Sequence, residues 1–371
     1  MYSLTMTTAA AKSVFDQVNY LAQFRQRAVT LKQLLDFGSD PCLENLLIGA
    51  RFLYKELPVR LAHRIRELES LPFGLSKMLS VELVKQMYLE SFRDLVELPR
   101  PETAEQEDRF TEALENIKQR HNNVVSIMAK GIQELRQALG TSELNPEIRE
   151  FLDRFYMSRI GIRMLIGQHI AMHQGSRPDY AGLICEKCSP ASVVREAISS
   201  AQSLCLQHYS CTPEVGVFGN TDLVFTYVPS HLHHMLFELL KNSMRAVVEF
   251  HGATCSELPL IRVIVAEGNE DVTIKISDEG GGIPRSGVSR IWTYLYTTAL
   301  PPSLLGDSPY HSDFQAPMAG LGYGLPISRL YARYFGGELQ VISMEGYGTD
   351  AYLHLKRLGT AEEVLLPRRL Y

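Results

Sequence analysis

Along the first 173 residues the apolar positions recur every three or four steps, the period of amphipathic helices packed against one another. Four runs carry it, at 46–68, 80–98, 105–139 and 145–173. Pro58 is expected to kink or divide the first, because its ring removes an N–H and crowds the preceding turn. A Pro- and acid-rich stretch at 98–108 and the segment 140–146 separate the later runs, the second supplying turn and N-cap residues. Four long helices with short connections predict a four-helix bundle across 12–173.

The pattern changes after that point. Residues 174–190 mix Gly, Pro, Ser and charged residues and read as a linker. Beyond them come β-branched runs at 260–267, 271–278, 338–343 and 350–356, with helical runs at 231–250 and 325–335 among them. Strands mixed with helices, rather than strictly alternating, make the class α+β. The expected second domain, 191–358, is a two-layer α/β sandwich, and 359–371 forms a short tail.

Composition narrows the partners. The balance of 37 Lys+Arg against 42 Asp+Glu, net −5, lacks the basic excess that phosphate neutralisation needs, so no nucleic-acid partner is expected. No run of about 18 apolar residues occurs, and no membrane span is expected. Six cysteines do not make a disulfide framework. Only Cys185 and Cys188 have CxxC spacing, and without a second pair they read as reduced thiols. The first thirty residues lack the apolar core of a secretory signal; their Ser, Thr, Ala and Lys suit a transit peptide or a plain first helix.

Four segments carry candidate chemistry. On the helix 231–250, His234, Glu238 and Asn242 follow at four-residue steps and so line one stripe. Such a stripe is more often a solvated face. Read as a site, it offers a carboxylate base flanked by His, with Asn242 supplying an oxygen for a hard cation. The strand 271–278 ends in Asp278 and runs into glycines 280–282, where backbone can approach a ligand and the carboxylate can accept from an exocyclic amine such as that of adenine. A flexible turn is the plainer alternative. Residues 318–326 open a helix with glycines at 320, 322 and 324, a phosphate cradle of backbone N–H groups. This is neither a Walker A loop nor a dinucleotide fingerprint. The fourth is the turn 345–350, whose Thr349 hydroxyl can face the same pocket.

In this order the segments resemble the N, G1, G2 and G3 boxes of the ATP-binding fold shared by histidine kinases, gyrase-type ATPases, Hsp90 and the mitochondrial dehydrogenase kinases. Residues 297–317 then resemble that fold's lid. YVPSHLHHMLFELLKNSMRA, SDEGGGIPRSGVSRIWTYLYTTA and GYGLPISRLYARYFGGELQVISMEGYGTDAYLHL are similar to pyruvate dehydrogenase kinases, the plant-type forms in particular. So are FLYKELPVRLAHR, RHNNVV and FLDRFYMSRIGIRML in the first half, and the resemblance covers about residues 30–358. The branched-chain ketoacid dehydrogenase kinases match less well at the N box and at 323–335, and are the alternative.

The resemblance implies a serine protein kinase that uses ATP and Mg²⁺ to phosphorylate and inactivate the E1α subunit of the pyruvate dehydrogenase complex. It implies a homodimer in the mitochondrial matrix, docked on lipoyl domains of the E2 core. Glu238 would be the general base, tuned by His234, with Asn242 the Mg²⁺ ligand and Asp278 the adenine acceptor. Further nucleotide contacts would come from Glu238 itself, Arg245, Ala246, Gly280, Gly282, Thr297, Thr298 and Thr349, and from Gly320, Leu321, Gly322, Tyr323, Gly324 and Leu325. An allosteric pyruvate pocket would involve Tyr88, Ser91, His121, Ser158, Arg159 and Arg163. Two arginines four apart suit a small carboxylate, and they suit structural ion pairs almost as well.

Two departures stand out. Lys118 replaces an Arg of the animal members, and the animal tail with its Asp-Trp pair has no counterpart, Trp292 being the only tryptophan. Tail-dependent lipoyl anchoring is therefore not carried over. A protein-histidine kinase should show a phosphoacceptor His followed by an acid, and no His-Glu or His-Asp pair occurs. A gyrase-like ATPase should continue into a transducer domain, for which the last 15 or so residues are too few. A non-catalytic scaffold is disfavoured because all four boxes keep their polar residues.

Overall fold

The computed structural model describes residues 13–40, 42–141, 144–175, 177–252, 257–297, 320, 322–367 and 369. Two short helices, α1 (Val14–Leu21) and α2 (Leu31–Gly38), come first, each closed by a capping box from Ser13 or Thr30. Then follow α3 (Leu43–Glu69), α4 (Leu79–Glu97), α5 (Ala104–Arg120), α6 (Val124–Leu139) and α7 (Pro146–His173). They pack around a core that includes Leu57, Ile65, Phe92, Leu114, Phe151 and Phe155, all fully buried.

Two expectations need correction here. Pro58 does not divide the first run, since α3 continues through it; Leu57, Leu61 and Ala62 around it are buried. The run 105–139 is two helices, not one. The helix α5 is capped at His121, whose N–H bonds back to Ile117, and α6 restarts after Asn123. Together α5 and α6 make one broken leg of the bundle.

The second half holds β1 (Tyr180–Ala181), β2 (Ile184–Cys188), α8 (Pro190–Tyr209), β3 (Val215–Gly219), β4 (Phe225–Tyr227) and α9 (Pro229–His251). It continues with β5 (Ile261–Glu267), β6 (Asp271–Asp278), α10 (Arg285–Val288), α11 (Gly324–Tyr334), β7 (Glu338–Met344) and β8 (Gly348–Lys356). The segment expected as a linker thus contains two strands, which form a small sheet in the order β1-β2-β4. Cys185 and Cys188 sit in it as buried free thiols, and burial pushes Cys188 up to about 12. The main sheet has the order β3-β5-β6-β8-β7, with only β3 and β5 parallel. Its alternating apolar residues, among them Val263, Ile274, Ile276 and Leu353, are buried. The helices α8, α9 and α11 form the second layer. The α+β class read from the sequence therefore holds.

The two halves meet along α7. Tyr156 places its ring 5.5 Å from Tyr294 and 5.8 Å from Tyr323, and the Tyr294 hydroxyl donates to Asp153 at 2.6 Å. The tail joins them again. Glu363, 3% exposed, accepts from Val29 N, from the Arg60 guanidinium of α3 and from the Tyr334 hydroxyl of α11.

Candidate active site

The helix α9 begins at Pro229, whose missing N–H is harmless in a first turn, and buries Leu232, Leu236, Leu239 and Leu240 against its neighbours. That packing leaves Glu238, Lys241, Asn242, Arg245 and Ala246 along one wall of a cavity of about 430 Å³. The loop after β6, the end of β8 and the start of α11 close the other sides.

Glu238 is buried and accepts from Lys241 Nζ at 2.8 Å. Its other oxygen lies against the first turn of α11, so close to Gly324 that an added Cβ there would collide with it. His234 does not line the cavity. Its ring packs 4.9 Å from Tyr331 of α11, beside His231, which lies 4.8 Å from the same ring. Burial, with His234 and Arg163 nearby, pushes His231 down to about 3.

At the opposite end, Asp278 is buried and pairs in register with Thr349 of β8. One carboxylate oxygen accepts from Ser243 Oγ of α9 at 2.7 Å, the other from the Gly280 N–H at 3.0 Å. Burial pushes this carboxyl above the usual range, although those donors and Thr349 pull it back. Gly280 is required by close approach, since a Cβ there would strike Ala246 of α9. Ser343 ties the loop to the last turn, accepting from Ile283 N at 2.7 Å and lying 2.9 Å from Thr349 Oγ1.

Of the nucleotide residues expected from the sequence, Asn242, Arg245, Ala246, Gly282, Thr297, Gly320, Gly322, Leu325 and Thr349 also line this cavity. Tyr323 does not: its side chain is buried against Tyr156 and Tyr294 and braces the helix start from behind. Thr298, Leu321 and residues 298–317 of the segment 297–317 expected as a lid lie outside the described residues. The sequence reading missed Lys241 and Ser243. Lys241 is three residues after Glu238, a pairing distance on a helix, but nothing local distinguishes it from a solvated lysine.

Five of the six residues expected as a second pocket, Tyr88, Ser91, His121, Arg159 and Arg163, also come together. Ser91 Oγ lies 3.0 Å from His121 Nε2, and Tyr88 stacks on the His121 ring at 4.5 Å. Arg159 donates to the His121 carbonyl at 3.0 Å and Arg163 to Asn122 Oδ1 at 3.1 Å. The Ser158 hydroxyl is buried, as is that of Tyr88. Burial, with Arg159, Arg120 and Arg163 close by, pushes His121 down to about 3, so its ring is neutral.

Residues 227–358 match the family model of histidine kinase-, DNA gyrase B- and HSP90-like ATPases. The second half is therefore a nucleotide-binding domain of that class. Residues 28–185 match a model described as mitochondrial branched-chain alpha-ketoacid dehydrogenase kinase. A mitochondrial pyruvate dehydrogenase (acetyl-transferring) kinase of Arabidopsis thaliana is 52% identical over 355 residues, covering 95% of this chain and 97% of its own. Isozyme 3 of Mus musculus is 44% identical over 364 residues, with 95% and 86% covered. The Schizosaccharomyces pombe kinase is 38% identical over 423 residues, with 95% and 99% covered. The chain belongs to the mitochondrial pyruvate dehydrogenase kinase family.

Proposed function

We propose that the chain is an ATP-dependent serine protein kinase of the mitochondrial matrix that phosphorylates the E1α subunit of the pyruvate dehydrogenase complex and inactivates it. The convergence of Glu238, Asn242 and Asp278 on one cavity supports this reading best. Phosphoryl transfer asks for positioned groups and charge neutralisation rather than covalent chemistry from the protein. Asp278 accepts from the adenine amine. The N-terminus of α11, with Gly320, Gly322 and Gly324, faces the phosphates. Glu238 takes the proton of the substrate serine as its oxygen attacks, with Lys241 holding the carboxylate in place and His234 tuning it from one turn earlier.

The donor set fits Mg²⁺: the Asn242 side chain lines the cavity one turn from Glu238 and offers the hard oxygen that this cation prefers. When bound, Mg²⁺ neutralises phosphate charge. In the bundle, Arg159 and Arg163 beside the neutral His121 form a pocket for pyruvate, with Tyr88, Ser91 and Ser158. A second copy of the chain is proposed to cover the open face of the sheet, where Ile342 and Met344 are exposed. Docking on lipoyl domains of the E2 core rests on the family resemblance.

The test is transfer from radiolabelled ATP to reconstituted pyruvate and branched-chain dehydrogenase complexes side by side. Label on the pyruvate E1α serine with loss of that complex's activity is expected. Label confined to the branched-chain E1α would move the chain to that specificity, for which the name of the model matching 28–185 speaks. Binding of ATP without transfer would make it a scaffold.

A further inference from the structure

At the end of the bundle remote in sequence from the nucleotide cavity, two helices bring together ligands that the kinase reading does not use. Glu107 and Thr111 lie one turn apart on α5, and His169 and His173 lie one turn apart at the end of α7. Glu107 is 1% exposed and His169 3%, whereas His173 reaches the surface with 23% of its side chain accessible. Glu107 Oε1 is 3.0 Å from His169 Nε2 and 2.9 Å from His173 Nε2. Thr111 Oγ1 is 3.2 Å from the same carboxylate oxygen, 2.9 Å from His169 Nε2 and 3.3 Å from His173 Nε2.

Unshared hydrogen bonds do not account for all of these contacts. The four atoms make five contacts of 2.9–3.3 Å. With Glu107 ionised they own at most three protons, one on each Nε2 and one on the hydroxyl. At most three contacts then have a proton of their own; the other two must share one with a neighbouring contact or set lone pair against lone pair. A cation at the centre resolves all five. Tetrahedral Zn²⁺ with ligands at about 2.05 Å has its ligand atoms about 3.3 Å apart. The observed edges need widen by a few tenths of an ångström at most.

We propose that Glu107, His169 and His173 bind a divalent transition-metal ion of the Zn²⁺ class, with Thr111 or a water completing the tetrahedron. A pair of histidines at i and i+4 on one helix presents both imidazoles to one ion. Facing helices of a bundle are an established place for such a centre. The ion ties α5 to the end of α7, the helix that also carries Arg159 and Arg163. Nitrogen ligands and a single carboxylate favour Zn²⁺ over Mg²⁺, which asks for six oxygens. The proposal stands independently of the kinase activity.

The experiment uses the full chain, freed of metal by chelator and titrated with Co²⁺ and then Zn²⁺. One Co²⁺ per chain is expected, with the intense visible bands of tetrahedral coordination and no sulfur-to-cobalt charge transfer, displaced by Zn²⁺ but not by Mg²⁺. His173→Gln at the rim should weaken binding at least 10- to 100-fold, a loss that even outer-shell changes cause, while leaving the circular dichroism of the apo protein unchanged. Glu107→Gln should do the same if it folds. Absence of stoichiometric tetrahedral Co²⁺ would overturn the proposal. So would affinity unchanged in His173→Gln, or a thiolate band that traces the ion to the cysteines.

Discussion

The adenine assignment makes a demand that can be met atom by atom. In Asp278→Asn the side-chain oxygen keeps its bond from the Gly280 N–H, and the new NH₂ points at Ser243 Oγ, which can accept instead of donate. The loop should therefore keep its shape. What disappears is the negative acceptor for the purine amine. A hydrogen bond to a charged group contributes about 1.5–3 kcal/mol, so ATP affinity should fall roughly 10- to 150-fold at 1.4 kcal/mol per decade. The assay is calorimetric titration of wild type and variant with ATP and with the triphosphate of purine riboside, which lacks the amine. Wild type should prefer ATP by about that factor, and the variant should bind both alike. An equal loss for both nucleotides would mean that Asp278 shapes the loop without reading the base, and would refute the reasoning.

Other tests follow from the same coordinates. Glu238→Gln keeps an oxygen for Lys241, so nucleotide binding should stay within a few-fold while single-turnover transfer falls about 10²–10⁴-fold; transfer at the wild-type rate would remove Glu238 as the base. Glu363→Gln weakens a buried network shared by Arg60, Tyr334 and Val29, in which Arg60 keeps its pair with Glu56, and urea unfolding should show a loss of about 1–3 kcal/mol; an unchanged unfolding free energy would mean that the tail is not a structural tie. His121 is held near 3 in the fold against an ordinary value near 6.5. The unfolded chain thus takes up the proton first, and stability present above about pH 6.5 is lost as pH falls towards 3. Between pH 7 and 5 this amounts to about 2 kcal/mol. His121→Gln should show a pH dependence of unfolding shallower by that amount, and an identical slope would refute the burial argument.

The strands that the sequence revealed are those whose alternation is complete. In β6 every second residue from Val272 to Asp278 is buried, so pattern and structure coincide. The small sheet was not legible, because β2 is only five residues long and its partner β4 lies beyond a whole helix. The break at His121–Asn123 was hidden for a different reason: Ile117, Val124 and Met128 are all buried, so the apolar rhythm carries across the turn. At the site, Glu238, Asn242 and Asp278 were legible through spacing and through the glycines beside them. Lys241 and Ser243 were not, since their roles exist only once α9 is set against α11 and β6. The cluster of Glu107, Thr111, His169 and His173 likewise needs two helices that the sequence separates by more than a turn of the bundle.

If the residues expected as a second pocket bind pyruvate as proposed, α7 offers a physical route from them to the nucleotide cavity. Tyr156 lies three residues before Arg159 and packs on both Tyr294 and Tyr323. Those tyrosines stand just outside the segment 298–319, one at each end, and a Cβ added at Gly322 would touch the backbone of Leu295 and Tyr296. The two roots of the segment that the resemblance makes a lid are thus held against each other and against α7. Burial is the main reason that His121 and His231 of α9 are held low, and Arg163, one turn beyond Arg159, adds a smaller push on both. Binding a carboxylate between the two arginines would neutralise that field and re-aim side chains on one rigid helix. The change would reach the lid roots through Tyr156 and the start of α9 through His231. Coupling by this route requires that Tyr156→Leu uncouple pyruvate from ATP affinity while leaving each ligand able to bind alone. If pyruvate still shifts ATP affinity by the wild-type factor in that variant, the signal travels elsewhere.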